Sequence, residues 1–445
     1  MTQIIASYDP SNGDKLGELL AATPSQIAEV VQRAQTATLN WKQISFEDRL
    51  NIIREAYGAA ESSVQDLATL LSREMGKDIA RARREVEGVI RRGPITAAAA
   101  LEALQSTRAG DAIIEYGPLG VALIISPWNY PLAMANNLMV PALMAGNSVI
   151  WKPSEETPLV AQAFFDLIHK RFPKDLLQIV HGDGAQGTML VESDVNLIGF
   201  VGSQATGKNI MTKAAPGLKR LVMELGGNDP MIVMKDGDLL SAARFAVANS
   251  LENAGQRCIA TERIYVAKEV ANEFERYVAE LAVQYKVGPW DMEAVNIGPI
   301  INSRQHAKIA AHIKDAVDKK ARLLVGSLDH QDRYIHPTVL ADISPDMRIE
   351  QEETFGPVVC LSRFTDIEEA ISRANNSTYG LGAVVFGREG VQEVANQLEA
   401  GMIGVNQGVG GGGDTPWVGA KQSGFGFHSS PEGHRQFAQV RVVNR

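Results

Sequence analysis

The apolar positions of this chain fall first into helical and then into alternating periods. Thr23-Pro24-Ser25-Gln26 has the form of a helix start, with Thr23 as cap and Pro24 in the first turn. Ile27, Val30, Val31 and Ala34 follow at helical spacing. Two further helical stretches, from about Phe46 to Met75 and from about Asp78 to Leu104, are amphipathic and rich in Arg and Glu. Ala112–Gly117 reads as a strand, and beyond it the pattern alternates. Strands over Val121–Ile125, Asn147–Trp151, Leu177–Val180 and Leu197–Val201 are followed by helices over Leu132–Met144, Pro158–Lys170, Gly184–Val191 and Ala205–Ala215. The second half repeats that style, with strands at Met231–Met234 and Arg263–Val266 and helices at Leu239–Leu251 and Glu269–Gln284. Strands alternating with helices imply an α/β fold built on a mostly parallel, doubly wound sheet. Such sheets bind ligands beyond the carboxyl ends of their strands.

The length of 445 residues exceeds what one hydrophobic core supports, so more than one domain is expected. A hydrophobic fraction of 45% and a charged fraction of 21% are ordinary for a soluble globular protein. The net charge of −9 argues against nucleic acid or an anionic membrane as the main partner. The strongest apolar run, Val121 to Ile125, stops at Ser126-Pro127, far short of a bilayer span. No basic-then-apolar leader pattern opens the chain, and its 2 cysteines form no C-x-x-C pair. A cytoplasmic location is therefore expected, with neither a zinc ribbon nor a redox dithiol. The 8 histidines show no ligand spacing, so no metal is inferred. Gly410–Gly413, inside Asn406–Pro416, reads as a loop at a site mouth.

Candidate chemistry centres on Cys258, in Gly255-Gln256-Arg257-Cys258-Ile259-Ala260. It reads as a thiol on a short, flexible, polar turn, after the acidic patch Met223-Glu224-Leu225-Gly226-Gly227-Asn228. A thiolate attacks carbonyls and a carboxylate activates water. The alternative is a small buried hydrophobe, which is the reading for Cys360 on the apolar run after Pro357. In Ser126-Pro127-Trp128-Asn129-Tyr130-Pro131, the Asn129 amide either donates to a developing oxyanion or satisfies a turn. Lys152 and Glu155, at the end of a strand, either grip ribose hydroxyls or form a solvated charge cluster. Gly202-Ser203-Gln204-Ala205-Thr206-Gly207 opens a helix whose free N–H groups can hold a pyrophosphate, a weak signal alone because it is not G-x-G-x-x-G.

Further segments fall in order behind these: Leu143-Met144-Ala145-Gly146-Asn147, Lys152-Pro153-Ser154-Glu155, Phe200-Val201-Gly202-Ser203, Glu224-Leu225-Gly226-Gly227, Glu352-Glu353-Thr354-Phe355-Gly356-Pro357 and Gly419-Ala420-Lys421-Gln422-Ser423-Gly424. With Pro127-Trp128-Asn129 and Gly255-Gln256-Arg257-Cys258, the chain resembles the aldehyde dehydrogenase superfamily over nearly its whole length. The resemblance implies oxidation of an aldehyde to its acid with NAD, or with NADP as the alternative, through a thiohemiacetal and a thioester on Cys258. It implies Asn129 and the Cys258 N–H as the oxyanion hole, and Glu224 as the base for the hydrolytic water. Lys152 and Glu155 would bind the adenosine ribose, Gly202 and Ser203 the pyrophosphate, and Glu353 the nicotinamide ribose. Phe355, Leu225, Pro127 and Trp128 would complete the cofactor pocket, and Asn137, Glu252, Ile259 and Trp417 the substrate pocket. A Glu155 carboxylate would accept from a 2′-hydroxyl and repel a 2′-phosphate, although Lys152 would welcome one. The implied domains are a dinucleotide-binding part of 1–105 with 119–225, a catalytic part of 226–432, and a bridging element of 106–118 with 433–445. That bridge joins subunits in relatives, so a homodimer or homotetramer is expected.

The chain departs from the family pattern in two places. Leu138 and His428 stand where many hydrolytic members carry a lysine and a glutamate that relay protons. His428 reads as a surface histidine, with a relay role as the alternative. Asn137 and Glu252 stand where members acting on succinate semialdehyde carry arginines, which favours a neutral or cationic aldehyde. Succinate-semialdehyde oxidation remains an alternative, as do a CoA-acylating enzyme, a cysteine hydrolase and a non-catalytic descendant.

Overall fold

Thr23 caps the first helix, Pro24–Trp41, as the sequence predicts: its side chain accepts from the Gln26 N–H, and Gln26 returns the bond to the Thr23 backbone. The computed structural model describes residues 3–330, 333–410, 412 and 415–444. The long helix expected from Phe46 to Met75 is two, Phe46–Gly58 and Val64–Met75, separated by a tighter turn at Glu61–Ser63. Gly58 and the Ser62-Ser63 pair break it there, because glycine resists ordering and serine hydroxyls compete for the backbone. Gly76, at φ +87°, ends the second of these, and Asp78 caps the next helix, Ile79–Ala103, by accepting from the Arg81 N–H.

The six-stranded sheet has the order Gly424–Phe425, Arg220–Leu225, Leu197–Gly202, Val121–Ile125, Ser148–Lys152, Leu177–Ile179. All neighbours run parallel except Gly424–Phe425, which pairs antiparallel with Met223 and Glu224. Strand period two buries both faces: Leu123, Ile150 and Phe200 pack with Ile27 and Val30, while Ala122, Val149 and Trp151 pack with Trp41 and Phe164. The order reverses between Val121–Ile125 and Leu197–Gly202, so the crevice at their carboxyl ends is the ligand position of a doubly wound sheet. Arg220–Leu225 contains much of what the sequence presents as an acidic patch. Its charged ends, Arg220 and Glu224, hide the apolar Leu-Val-Met run between them.

The seven-stranded sheet has the order Arg322–Val325, Thr338–Ala341, Val358–Phe364, Thr261–Ala267, Asp229–Val233, Gly382–Phe386, Met402–Val405, parallel except at its first pair. Cys360 lies in its core beside Leu340 and Val359, 2% exposed. Thr107–Ala109, Ala112–Pro118 and Ala438–Asn444 form a separate antiparallel sheet. Among the described residues no helix is long and apolar enough to cross a membrane.

Candidate active site

One cavity of about 1840 Å³ runs from between the helices Gly184–Glu192 and Gln204–Ala214, past the switch-point crevice, to Cys258. The amino end of the strand Thr261–Ala267 faces the carboxyl ends of the six-stranded sheet across it, which places Cys258 opposite Asn129 and Glu224. Gly410 and Gly412 line its mouth, whereas Gly411 and Gly413 lie outside the described residues.

The helix Leu239–Leu251 ends in Glu252–Gly255, where Asn253 and Ala254 (both φ +55°) and Gly255 (φ +69°) take left-handed backbone. Each non-glycine residue there costs of order 1–3 kcal/mol and persists only if its surroundings hold it. The surroundings do so. Asn253 Nδ2 donates to the Gln256 carbonyl at 3.2 Å, and Gln256 Oε1 accepts from the Ile301 N–H at 3.0 Å. A Cβ on Gly255 would sit 2.0 Å from the Gly356 carbonyl oxygen. The turn before Cys258 is therefore buried and pinned, not the flexible polar turn its composition suggests. On the other side, a Cβ on Gly227 would lie 2.3 Å from the Cys258 carbonyl oxygen, so the glycine lets the end of the Glu224 strand close on the thiol segment.

Cys258 is half-buried. Burial pushes its thiol well above the usual cysteine range, the Glu224 carboxylate pushes it further, and Arg257 pulls it back. Asn129 is buried, with Oδ1 accepting from the Tyr130 N–H and Nδ2 donating to the Gln256 carbonyl at 3.1 Å. One of the two Nδ2 donors remains. Glu224 is 5% exposed, and its carboxylate lies beside the Cys258 thiol, whose pKa it raises by its charge and by a hydrogen bond.

His428 is not a surface histidine: it is 2% exposed, with Nε2 3.6 Å from Glu224 Oε2 and Nδ1 3.1 Å from Ser429 Oγ. Long-range pairing buries it. Trp417 and Val418 pair with His428 and Phe427, Gly424–Phe425 pairs with the Glu224 strand, and the Trp417 ring lies parallel to the imidazole at 6.3 Å. Leu138 is core, 1% exposed.

A dinucleotide fits the remaining groups. Ser203 caps the 11-residue helix Gln204–Ala214, whose N-terminal N–H groups open into the cavity. Gly202 lines the same wall. Lys152 is buried, its Nζ 3.1 Å from the Pro153 carbonyl and 3.8 Å from the Glu155 carboxylate, which is more exposed. Burial lowers the Lys152 pKa against the pull of Glu155. Glu353 accepts from the Gly227 N–H at 3.1 Å, and burial raises it to about 7. Trp128 meets Phe355 edge-on at 5.5 Å, and Pro127 and Leu225 line the same wall. Sequence reasoning missed Glu262, a buried acid that accepts from the Thr354 and Phe355 N–H groups at 2.6 and 2.7 Å and so fastens the Glu353 segment. Burial and the charge of Glu353 raise it to about 8. Its signal was an acid inside an otherwise strand-like run, Thr261-Glu262-Arg263.

Asn137, Glu252, Ile259 and Trp417 all line the cavity. Glu252 does not present a lone negative charge there: it pairs with Arg257 and lies 4.0 Å from Arg81. Arg81 comes from a distant helix, and for that reason the sequence suggested an uncompensated acid.

The profile described as the aldehyde dehydrogenase family matches residues 1–443. This chain belongs to the aldehyde dehydrogenase family. It is 32% identical to the succinate-semialdehyde dehydrogenase [NADP(+)] GabD of Escherichia coli (strain K12), covering 98% of this chain and 93% of that one. It is 31% identical to the glutarate-semialdehyde dehydrogenase of Pseudomonas putida, covering 99% and 94%. The solved NADP-dependent glyceraldehyde-3-phosphate dehydrogenase of Bacillus halodurans C-125, complexed with NADP, superposes with a TM-score of 0.95 at 32% identity, covering 99% and 95%. The protein is thus an NAD(P)-dependent oxidoreductase of aldehydes, on the α/β fold of that family.

Proposed function

We propose that this aldehyde dehydrogenase oxidises a small aldehyde with a polar or anionic distal group to its carboxylic acid on Cys258. The observation that carries this reading is the convergence of a half-buried thiol, a buried carboxylate beside it and an amide donor in one cavity that also holds a dinucleotide cradle. The Cys258 thiol gives up its proton to solvent in the cavity, and the thiolate, which Arg257 stabilises against burial and the Glu224 charge, adds to the aldehyde carbon. The alkoxide that forms accepts from Asn129 Nδ2 and the Cys258 N–H, each such donor being worth ~10²–10³ in rate. Bound NAD(P)+ supplies the hydride acceptor. Hydride loss leaves a thioester on the sulfur, and Glu224 takes a proton from the water that attacks its carbonyl. The carbon–sulfur bond breaks, the thiolate leaves and the acid departs. Lys152, Glu155, Ser203 and Glu353 hold the dinucleotide. Glu155 favours a 2′-hydroxyl and hence NAD, although two of the three relatives carry NADP in their names.

The substrate class rests on two supports. The three relatives are named for a succinate semialdehyde, a glutarate semialdehyde and a phosphorylated aldehyde, all with a distal anion. The Glu252 wall is charge-compensated by Arg257 and Arg81, so it does not repel such an end. Incubation with succinate semialdehyde, glutarate semialdehyde, butanal and benzaldehyde, with NAD+ or NADP+ and with or without CoA, tests the reading through absorbance at the NADH band. Semialdehydes should give the highest kcat/KM without CoA. A clear preference for butanal or benzaldehyde would overturn the substrate class, and absolute dependence on CoA would overturn the hydrolytic step. The edge strand Ala438–Asn444, exposed without a break from Gln439 to Val442 and carrying the apolar Val440 and Val442 outward, supports a homodimer or homotetramer.

His428 has a place in this scheme as the group that receives the proton from Glu224 and passes it toward Ser429 and the cavity. His428→Ala should lower kcat about tenfold, less than the ~10²–10⁴ of a direct acid–base group, and alter the shape of the kcat–pH profile. Unchanged turnover across pH would remove the relay.

A further inference from the structure

We infer that Lys77 and Glu85 are positioning residues that aim Asn129, an inference that rests on the reading of Asn129 as the oxyanion donor. Lys77 is the one residue between two helix caps, the left-handed Gly76 behind it and Asp78 ahead. Its backbone is fixed from both sides, and a Cβ at Gly76 would strike Pro299 at 2.6 Å. The ammonium group is fully buried, and its three donors have three destinations. Nζ donates to Glu85 Oε2 at 2.6 Å and to the Asn129 carbonyl at 2.7 Å, and it stands 3.9 Å from the centre of the Tyr130 ring.

Glu85, 1% exposed at its side chain, completes the device. Its other oxygen, Oε1, accepts from the N–H groups of Leu132 and Ala133, each at 3.2 Å. Those are first-turn donors of the helix Pro131–Met144, whose own cap residue, Tyr130, makes no side-chain capping bond. One ion pair therefore fastens the backbone from Asn129 to Ala133. Asn129 is held on its far side by Gln256, two residues before the nucleophile. The remaining Nδ2 donor is the one free to face the cavity.

A buried ion pair is weak evidence for stability, since an apolar pair of the same shape often serves as well. This pair instead spends its charges on the backbone around one side chain, where a misplacement of about 1 Å costs ~10²-fold in rate. The arrangement accounts for a charge pair buried between a helix junction and the strand-end loop.

The test is a double-mutant cycle on the full-length enzyme with its best aldehyde and NAD+. Lys77→Met, Glu85→Gln and Lys77→Met/Glu85→Gln are measured alone and combined with Asn129→Ala. Glu85→Gln keeps the side-chain shape and one acceptor oxygen, so it serves where Lys77→Met fails to fold. Near-ultraviolet circular dichroism and NADH fluorescence titration establish folding and cofactor binding. The expected result is a loss of roughly 10–100-fold in kcat with KM and NADH affinity unchanged. In the Asn129→Ala background the same substitutions should cost less than about twofold. Equal losses in both backgrounds, or no loss in the Asn129 background of the native enzyme, would overturn the inference. If Asn129→Ala alone leaves kcat intact, the oxyanion reading itself fails, and this inference with it.

Discussion

Cys258→Ala removes aldehyde oxidation while leaving NADH binding in place. The expected fall in kcat is of order 10⁶, the scale on which a catalytic nucleophile is missed. The geometry requires a loss of this size because no second thiol can substitute. The other cysteine, Cys360, is buried in the seven-stranded sheet beside Leu340 and Val359. Cys360→Ala should keep full turnover and cost about 1 kcal/mol of stability. Steady-state kinetics with fluorescence titration of NADH check both. Substantial turnover by Cys258→Ala would reassign the nucleophile.

Glu224→Gln should separate the two halves of the reaction. Steady-state kcat is expected to fall by ~10²–10⁴, the usual worth of a general base. A burst close to one equivalent of NADH should survive in stopped-flow mixing. The sign follows from the electrostatics around the sulfur: the Glu224 charge raises the thiol pKa, so a neutral glutamine lets the thiolate form at lower pH. Acylation therefore proceeds, and hydrolysis stalls. Iodoacetamide labelling of Cys258 should accordingly shift to lower pH in this variant. Loss of the burst together with the steady-state rate would place Glu224 before the thioester rather than after it.

Much of this site is legible in the chain because its parts are local. Asn129 follows a strand by four residues, and Lys152 ends one, so period two and the βα alternation place both at carboxyl ends. Thr23 with Gln26 marks its helix start within four letters. What was hidden depends on contacts between distant segments. His428 looks exposed until Trp417 pairs with it and the Gly424–Phe425 strand docks on Glu224. Glu252 looks like an isolated acid until Arg81 arrives from a helix far earlier in the chain. Glu85 falls within a helical stretch rich in Arg and Glu and Lys77 between two such stretches, and only the fold sets them against the Asn129 backbone. The strand bearing Glu224 was obscured by its own charged ends. Local pattern carried the fold class and the order of the motifs, whereas the charge balance of the pocket came from tertiary packing.

The most direct measurement is peptide mass spectrometry of the Glu224→Gln enzyme, quenched in acid after mixing with NAD+ and the preferred aldehyde. The account predicts one acyl group, with the mass of the substrate acid less water, on the Cys258 peptide and none on the Cys360 peptide. An acylated Cys360, or an NADH burst with no acyl group on Cys258, would contradict it.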